Sequence, residues 1–295
     1  MSERTGPVVV GVDGSEEATK AAVWAAAVAE KFHAPLHIVH AIADTGRLLT
    51  DAAAAMLASL IAEQRKSADA TLKSVEEAVR TRFGKLTVTA ERSDQSASKV
   101  LTDLSGKARL VVLGSKEVSP SAALLLGSTT VAVTAHSSCP VVTWRGEITA
   151  PTDQPVVLGV EPERTGAAAF RTAFEFADRF GVPVHAVNAW PGRRTLGGIE
   201  IPALVDWGAV EAAQWQYVMG AVEPWSEKYP SVEVRYFVET AGAGSALLSH
   251  APDAQLVVVG SRGRGLLAGA LLGSTSLNML QHGPVPVLVC HNANP

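Results

Sequence analysis

The stretch PVVVGVD at residues 7–13 returns as PVVLGVE at residues 155–161, and the reading of the chain works outward from that pair. Each is an almost unbroken apolar run rich in valine. Such a run fits a strand covered on both faces, the environment of a parallel sheet. The same offset of 148 residues pairs Phe32 with Phe180, Pro35 with Pro183, His37 with His185 and Ala41 with Ala189. Further along, LVVLGS at 110–115 matches LVVVGS at 256–261, an offset of 146. That offset also aligns Gly127-Ser128-Thr129 with Gly273-Ser274-Thr275, and Pro140-Val141 with Pro286-Val287. Ordered matches over half a chain indicate a duplicated domain, and the period is far longer than that of a solenoid repeat. The stretch 145–154 holds Gly146, Pro151 and Asp153 without apolar periodicity and reads as a short linker. The expected domains are 1–147 and 148–295.

Within the first copy, strands are expected at 8–12, 36–41, 86–92, 110–115 and 140–144. Helices are expected at 16–32, about 51–83, 96–107 and near 124–136, with Ser15 as N-cap of the first. The second copy repeats the plan, with strands at 156–160, 184–189, 232–239, 256–260 and 285–290. Its third helix is expected to be short, with Pro252 near its end. The glycine-rich segment 193–202 reads as an irregular loop. Strands alternating with helices imply βαβ crossovers, so the fold class is α/β, two doubly wound domains in tandem.

Composition narrows the function. Of 295 residues, 47% are hydrophobic and 18% charged, which fits a well-buried globular protein. The net charge of −4 comes without a basic run, so no nucleic-acid partner is implied. Cys139 and Cys290 each close a valine-rich run and read as small buried hydrophobes. Without a disulfide framework, a signal core at the N-terminus or an apolar stretch of membrane-spanning length, a soluble cytoplasmic protein is expected.

In open parallel sheets ligands sit beyond the carboxyl ends of the strands, near the point where strand order reverses. The loop GSRGRGLLAGALLGST at 260–275 belongs there. Two residues separate Gly260 from Gly263, and nine separate Gly263 from Gly273. Glycines let backbone N–H groups approach a polyanion, and the helix starting near Ser274 directs its dipole at the anion. Arg262 and Arg264 add positive charge, and Ser274 and Thr275 add hydroxyls.

This G-x-x-G, nine residues, G-(S/T) pattern resembles the ATP-binding motif of the universal stress protein family. SSCPVV at 137–142 and HGPVPVLV at 282–289 are similar to that family's entry into the last strand, and the likeness covers nearly the whole chain. The resemblance implies a five-stranded, Rossmann-like parallel sheet in each copy with helices on both faces. It also implies ATP, accompanied by Mg2+, between the loop after the first strand and the glycine loop, and dimer formation. Carried over residue by residue, the second copy offers Glu161, Ala189, Gly260, Arg262, Gly263, Gly273, Ser274 and Thr275. The first offers Asp13, Ser15, Ala41, Gly114, Gly127, Ser128 and Thr129. Each copy departs from the pattern at one place. Glu117 stands in the first where the second has Gly263, bringing a Cβ and a negative charge toward the phosphates. The second has Glu161-Pro162 where the first has Asp13-Gly14. Glu161 keeps the charge on a longer stem, which leaves open reach to a ribose hydroxyl or crowding of the adenosine. The second copy is therefore expected to be the better ATP site.

Other chemistry finds less support. G-x-x-x-x-G-K-(S/T), G-x-S-x-G and H-E-x-x-H are absent. Gly242-x-Gly244 lacks a third glycine because Leu247 holds that position, and Gly263-Arg-Gly265 with Ala268 follows the fourth strand instead of the first. His33, His37 and His40 resemble a metal cluster, but His37 and His40 point to opposite faces of a strand. His136, His250 and His282 lie near helix ends and read as caps. Trp190, Trp207, Trp215 and Trp225 crowd the second copy; packing on the sheet is their expected role, and an exposed aromatic patch for a partner, with Trp207 and Trp215 eight residues apart on one helical face, is the alternative. No catalytic set emerges. The expected function is an ATP-binding regulatory or stress-response module, its two domains paired with each other, forming a homo-oligomer and acting on an unidentified protein partner. A slow ATPase and a nucleotide-free dimeric scaffold with lapsed sites are the alternatives.

Overall fold

A computed structural model describes residues 5–42, 51–115, 126–147, 149–161, 165–190, 195–196, 199–200, 206–261 and 272–291. The chain divides into two compact units, Met1–Pro151 and Thr152–Pro295.

The first unit runs β1 (Val8–Val12), α1 (Glu16–Lys31), β2 (Leu36–Ala41), α2 (Asp51–Arg82), β3 (Val88–Ser93), α3 (Ala97–Ser105), β4 (Leu110–Gly114), α4 (Ser128–His136) and β5 (Val141–Trp144). Its strands are all parallel, in the order β5-β4-β1-β2-β3. Val8 pairs with Leu36 on one side and Leu110 on the other, so strand order reverses at β1. Val8, Val9 and Val10 are fully buried, as a strand covered on both faces must be. Ser15 caps α1 as expected, its hydroxyl accepting the Ala18 amide at 3.1 Å.

α1 presents an alanine face, with Ala21, Ala22, Ala25, Ala26 and Ala29 all fully buried. Small side chains bring its backbone close to the sheet. At Gly114 a Cβ would stand 2.8 Å from the Ala18 backbone, so glycine is what the close approach requires there.

The second unit runs β6 (Val156–Gly159), α5 (Ala167–Phe180), β7 (Val184–Ala189), β8 (Thr195–Leu196), β9 (Ile199–Glu200), α6 (Trp207–Lys228), β10 (Val234–Glu239), α7 (Ala243–His250), β11 (Leu256–Gly260), α8 (Ser274–His282) and β12 (Val287–Cys290). A 3-10 turn, Ala251–Asp253, follows α7 and carries Pro252. The parallel order is β12-β11-β6-β7-β10, the same plan as in the first unit. The segment expected to be irregular contains instead a short antiparallel pairing of β8 with β9, Thr195 opposite Glu200. Such a two-residue pair lies below the length at which alternation becomes readable.

α5 packs aromatic rings where α1 packs alanines. Phe170 stacks on Trp225 of α6 at 5.9 Å, and Phe174 lies 6.5 Å from the same indole. Trp190 stacks on Trp207 at 6.0 Å. Trp215 departs from its expected packing role and is exposed on α6 together with Met219. Cys139 and Cys290 are buried and are not joined in a disulfide. Among the described residues no helix is long and apolar enough to cross a membrane.

Candidate functional site

Each unit has a cavity at the carboxyl ends of its strands, where strand order reverses. In the first it measures about 390 Å³ and in the second about 530 Å³, both within the range of small-ligand sites. The first is bordered by Asp13 and Ser15 after β1, Ala41 at the end of β2, Gly114 at the end of β4, and Gly127, Ser128 and Thr129 at the start of α4. All seven residues named from the sequence in that copy meet there. The second is bordered by Glu161, Ala189, Gly260, Gly273, Ser274 and Thr275. Arg262 and Gly263 lie outside the described residues, as do Glu117, Pro162 and Arg264.

The loop after β1 is locally fixed. Asp13 Oδ1 accepts the Ser15 amide at 3.0 Å, and Gly14 takes a φ of +88° that a side chain would oppose. Burial opposes ionisation of Asp13, but hydrogen bonds from the Ser15 hydroxyl and amide, with nearby His40, hold its carboxyl below the ordinary range.

The second unit closes the equivalent loop differently. The Glu161 amide donates to the Thr165 hydroxyl oxygen at 2.7 Å, and that hydroxyl donates to the Gly159 carbonyl at 3.2 Å. Thr165 therefore shapes this wall, and the sequence reading missed it. α5 begins later than its repeat partner α1, and among the described residues no atom stands within 4 Å of a Cβ built on Gly260, whereas Gly114 is sealed under α1.

α4 and α8 both start at a glycine N-cap with no side-chain cap bond, Gly127 and Gly273. Their first-turn amides lack intrahelical partners and face the cavities, the arrangement that receives an anion. At the base of the loop before α8, the Gly273 amide donates to the Ser261 carbonyl at 2.7 Å and the Ser276 hydroxyl donates to the Gly260 carbonyl at 2.5 Å. These bonds fix the start of α8 against the end of β11.

The sequence reading also missed Ala97 and Leu101 in the first cavity. In the second it missed Asn278, and it weighed Gly242, Gly244 and Leu247 only as an incomplete dinucleotide motif, though all three border the cavity. The repeat offset of 146 already paired Ala97 with Ala243 and Leu101 with Leu247, a signal that would have found part of this wall. Among the described residues no group of three or more His, Cys, Asp or Glu side chains is placed to hold a metal ion. His37 lies beside Thr89 and Glu91, while His40 sits near Asp13 and Asp69.

The universal stress protein family model matches the chain twice, over residues 5–145 and 154–291. The chain belongs to the universal stress protein family. A universal stress protein of Mycolicibacterium smegmatis is 34% identical over 287 residues, covering 96% of both chains. One from Mycobacterium tuberculosis is 33% identical over 293 residues, covering 97% of this chain and 96% of its own. The crystal structure of a universal stress protein from Archaeoglobus fulgidus superposes with a TM-score of 0.73 at 19% identity, covering 98% of this chain and 99% of its own. That likeness carries the fold: two universal stress protein domains in tandem, each a parallel sheet flanked by helices.

Proposed function

We propose that this universal stress protein is an ATP-binding regulatory module whose second domain is the principal nucleotide site. The observation that carries the reading is the second cavity. There the start of α8, with Ser274 and Thr275, borders the cavity beside Gly260, over which no described atom lies within 4 Å of a Cβ position, at the point where strand order reverses. Amides and hydroxyls converging on one end of an otherwise apolar cavity suit a phosphate chain on a less polar nucleoside. Arg262 and Gly263, in the sequence between Gly260 and Gly273, supply the remaining charge and backbone access in this reading, and Mg2+ would accompany the phosphates. The first cavity is a weaker site because of Glu117 and because Gly114 is packed beneath α1. The domain limits 1–147 and 148–295 assign one cavity to each copy.

The module acts in the cytoplasm as a homo-oligomer, and occupancy by ATP alters what it presents to a protein partner. A ligand shifts such an equilibrium only through its different affinities for the two states. Calorimetric titration with ATP and magnesium, on the wild type and on Gly263→Glu, tests the reading. Binding lost in the variant places the site in the second domain. Binding that survives unchanged moves it to the first. Absence of binding in the wild type at millimolar ATP overturns the reading and favours the nucleotide-free scaffold. Phosphate release above background, abolished by Gly263→Glu, would make the module a slow ATPase.

A further inference from the structure

The wall of the second cavity differs from that of the first at two substitutions between the copies. At the offset of 146, Gly244 of α7 replaces Ser98 of α3, and Asn278 of α8 replaces Ala132 of α4. Gly244 and Asn278 both border the second cavity, whereas Ser98 and Ala132 do not border the first.

The two residues depend on each other. A Cβ on Gly244 would stand 2.7 Å from Asn278 Oδ1 and 2.9 Å from its Cγ, so only glycine at this position accepts the amide in its place. Asn278 Oδ1 is shut off from solvent against this backbone and has no hydrogen-bond partner among the described residues, whereas its amide nitrogen is not enclosed in this way and is the atom left to face the cavity. The carboxamide nitrogen carries two N–H donors that a ligand in the cavity can engage. Asn278 lies four residues after Ser274, on the same face of α8 and about 6 Å further along its axis. A ligand whose phosphates sit at Ser274 reaches Asn278 with the part that follows the phosphate chain.

We infer that Asn278, seated against Gly244, is a specificity-determining residue of the second domain, where its amide N–H donates to the nucleoside portion of a bound nucleotide, a sugar hydroxyl or a base edge. This rests on the nucleotide reading of the cavity. It adds that the two domains select ligands differently, the first having only Ala132 at the equivalent place.

The test compares two probes, ATP and inorganic tripolyphosphate, on the full chain and on Asn278→Ala, which installs the first domain's residue. ATP affinity of the site that Gly263→Glu removes is expected to fall roughly three- to tenfold, the worth of one neutral hydrogen bond. Tripolyphosphate affinity is expected to stay the same. In 15N-labelled protein the Asn278 side-chain amide resonance, assigned by its disappearance in the variant, should move on adding ATP and stay in place on adding tripolyphosphate. An unchanged ATP affinity, an equal loss for both probes, or an amide resonance indifferent to ATP each overturns the inference while leaving the nucleotide site standing. A wild type that binds no ATP removes the site itself and the inference with it.

Discussion

His33 and Gly181 occupy the same helix-terminating position in the two units, and both take the left-handed backbone conformation, with φ of 50° and 67°. In each the following residue closes the same bond: Ala34 donates to the Ala29 carbonyl at 2.9 Å, and Val182 donates to the Ala177 carbonyl at 3.0 Å. Glycine adopts this conformation without a Cβ penalty, whereas histidine pays about 1 kcal/mol or more for it. His33→Gly should therefore stabilise the first unit by roughly 1 kcal/mol, offset in part by the unfolded-chain entropy of glycine. Denaturant unfolding measures the shift, and a destabilised variant would contradict it.

The contrast between Gly114 and Gly260 yields a second prediction. Gly114→Ala forces a methyl group against the Ala18 backbone at 2.8 Å, where no side chain can swing aside. It should cost about 1–3 kcal/mol, as overpacking does. Gly260→Ala meets nothing within 4 Å among the described residues and should leave the melting temperature close to the wild-type value. Equal effects in thermal melts would show that α1 and α5 approach their sheets alike.

Loss of Thr165 should loosen the wall of the second cavity. Its hydroxyl accepts from the Glu161 amide and donates to the Gly159 carbonyl. Thr165→Val keeps the shape and removes both bonds, which predicts a loss of about 1–2 kcal/mol. ATP binding at the second domain should weaken in parallel. A variant as stable as the wild type would show that the loop is held by other contacts.

Acid should weaken the fold in two stages. Burial lowers the pKa of His40 from about 6.5, against the pull of Asp13 and Asp69. Burial, with Arg235 and His250, lowers that of His185. The unfolded chain then binds more protons than the folded one, so stability is complete above about 6.5 and falls as pH drops toward the folded values. Asp13 also has a folded pKa below its ordinary 3.8, so its contribution is present above that value and is lost as pH falls through the lower one. His40→Gln should reduce the upper stage to the part that His185 supplies and shrink the Asp13 stage only slightly, because the Ser15 hydrogen bonds lower that carboxyl more than His40 does. An unchanged slope between pH 6.5 and 5 would exclude His40 as a source.

The sequence alone determined the duplication, the βα alternation and the placement of the glycine loop after the fourth strand. These are local or periodic signals: valine runs such as 8–12 and 256–260 are covered on both faces wherever they lie in a parallel sheet, and repeated order survives changes in loop length. Sequence also brought Asp13 together with Gly127 and Glu161 with Gly273, because a doubly wound sheet gathers the carboxyl ends of its strands. Tertiary structure decided the rest. Recognising His33 as a helix terminator required its φ, since histidine carries no general signal for that conformation. Trp215 reads in sequence like Trp225, yet one is exposed and the other stacks on Phe170, because burial depends on which face of α6 meets α5. Asn278 and Gly244 lie on different helices, and only packing shows that the missing Cβ of one makes room for the amide of the other.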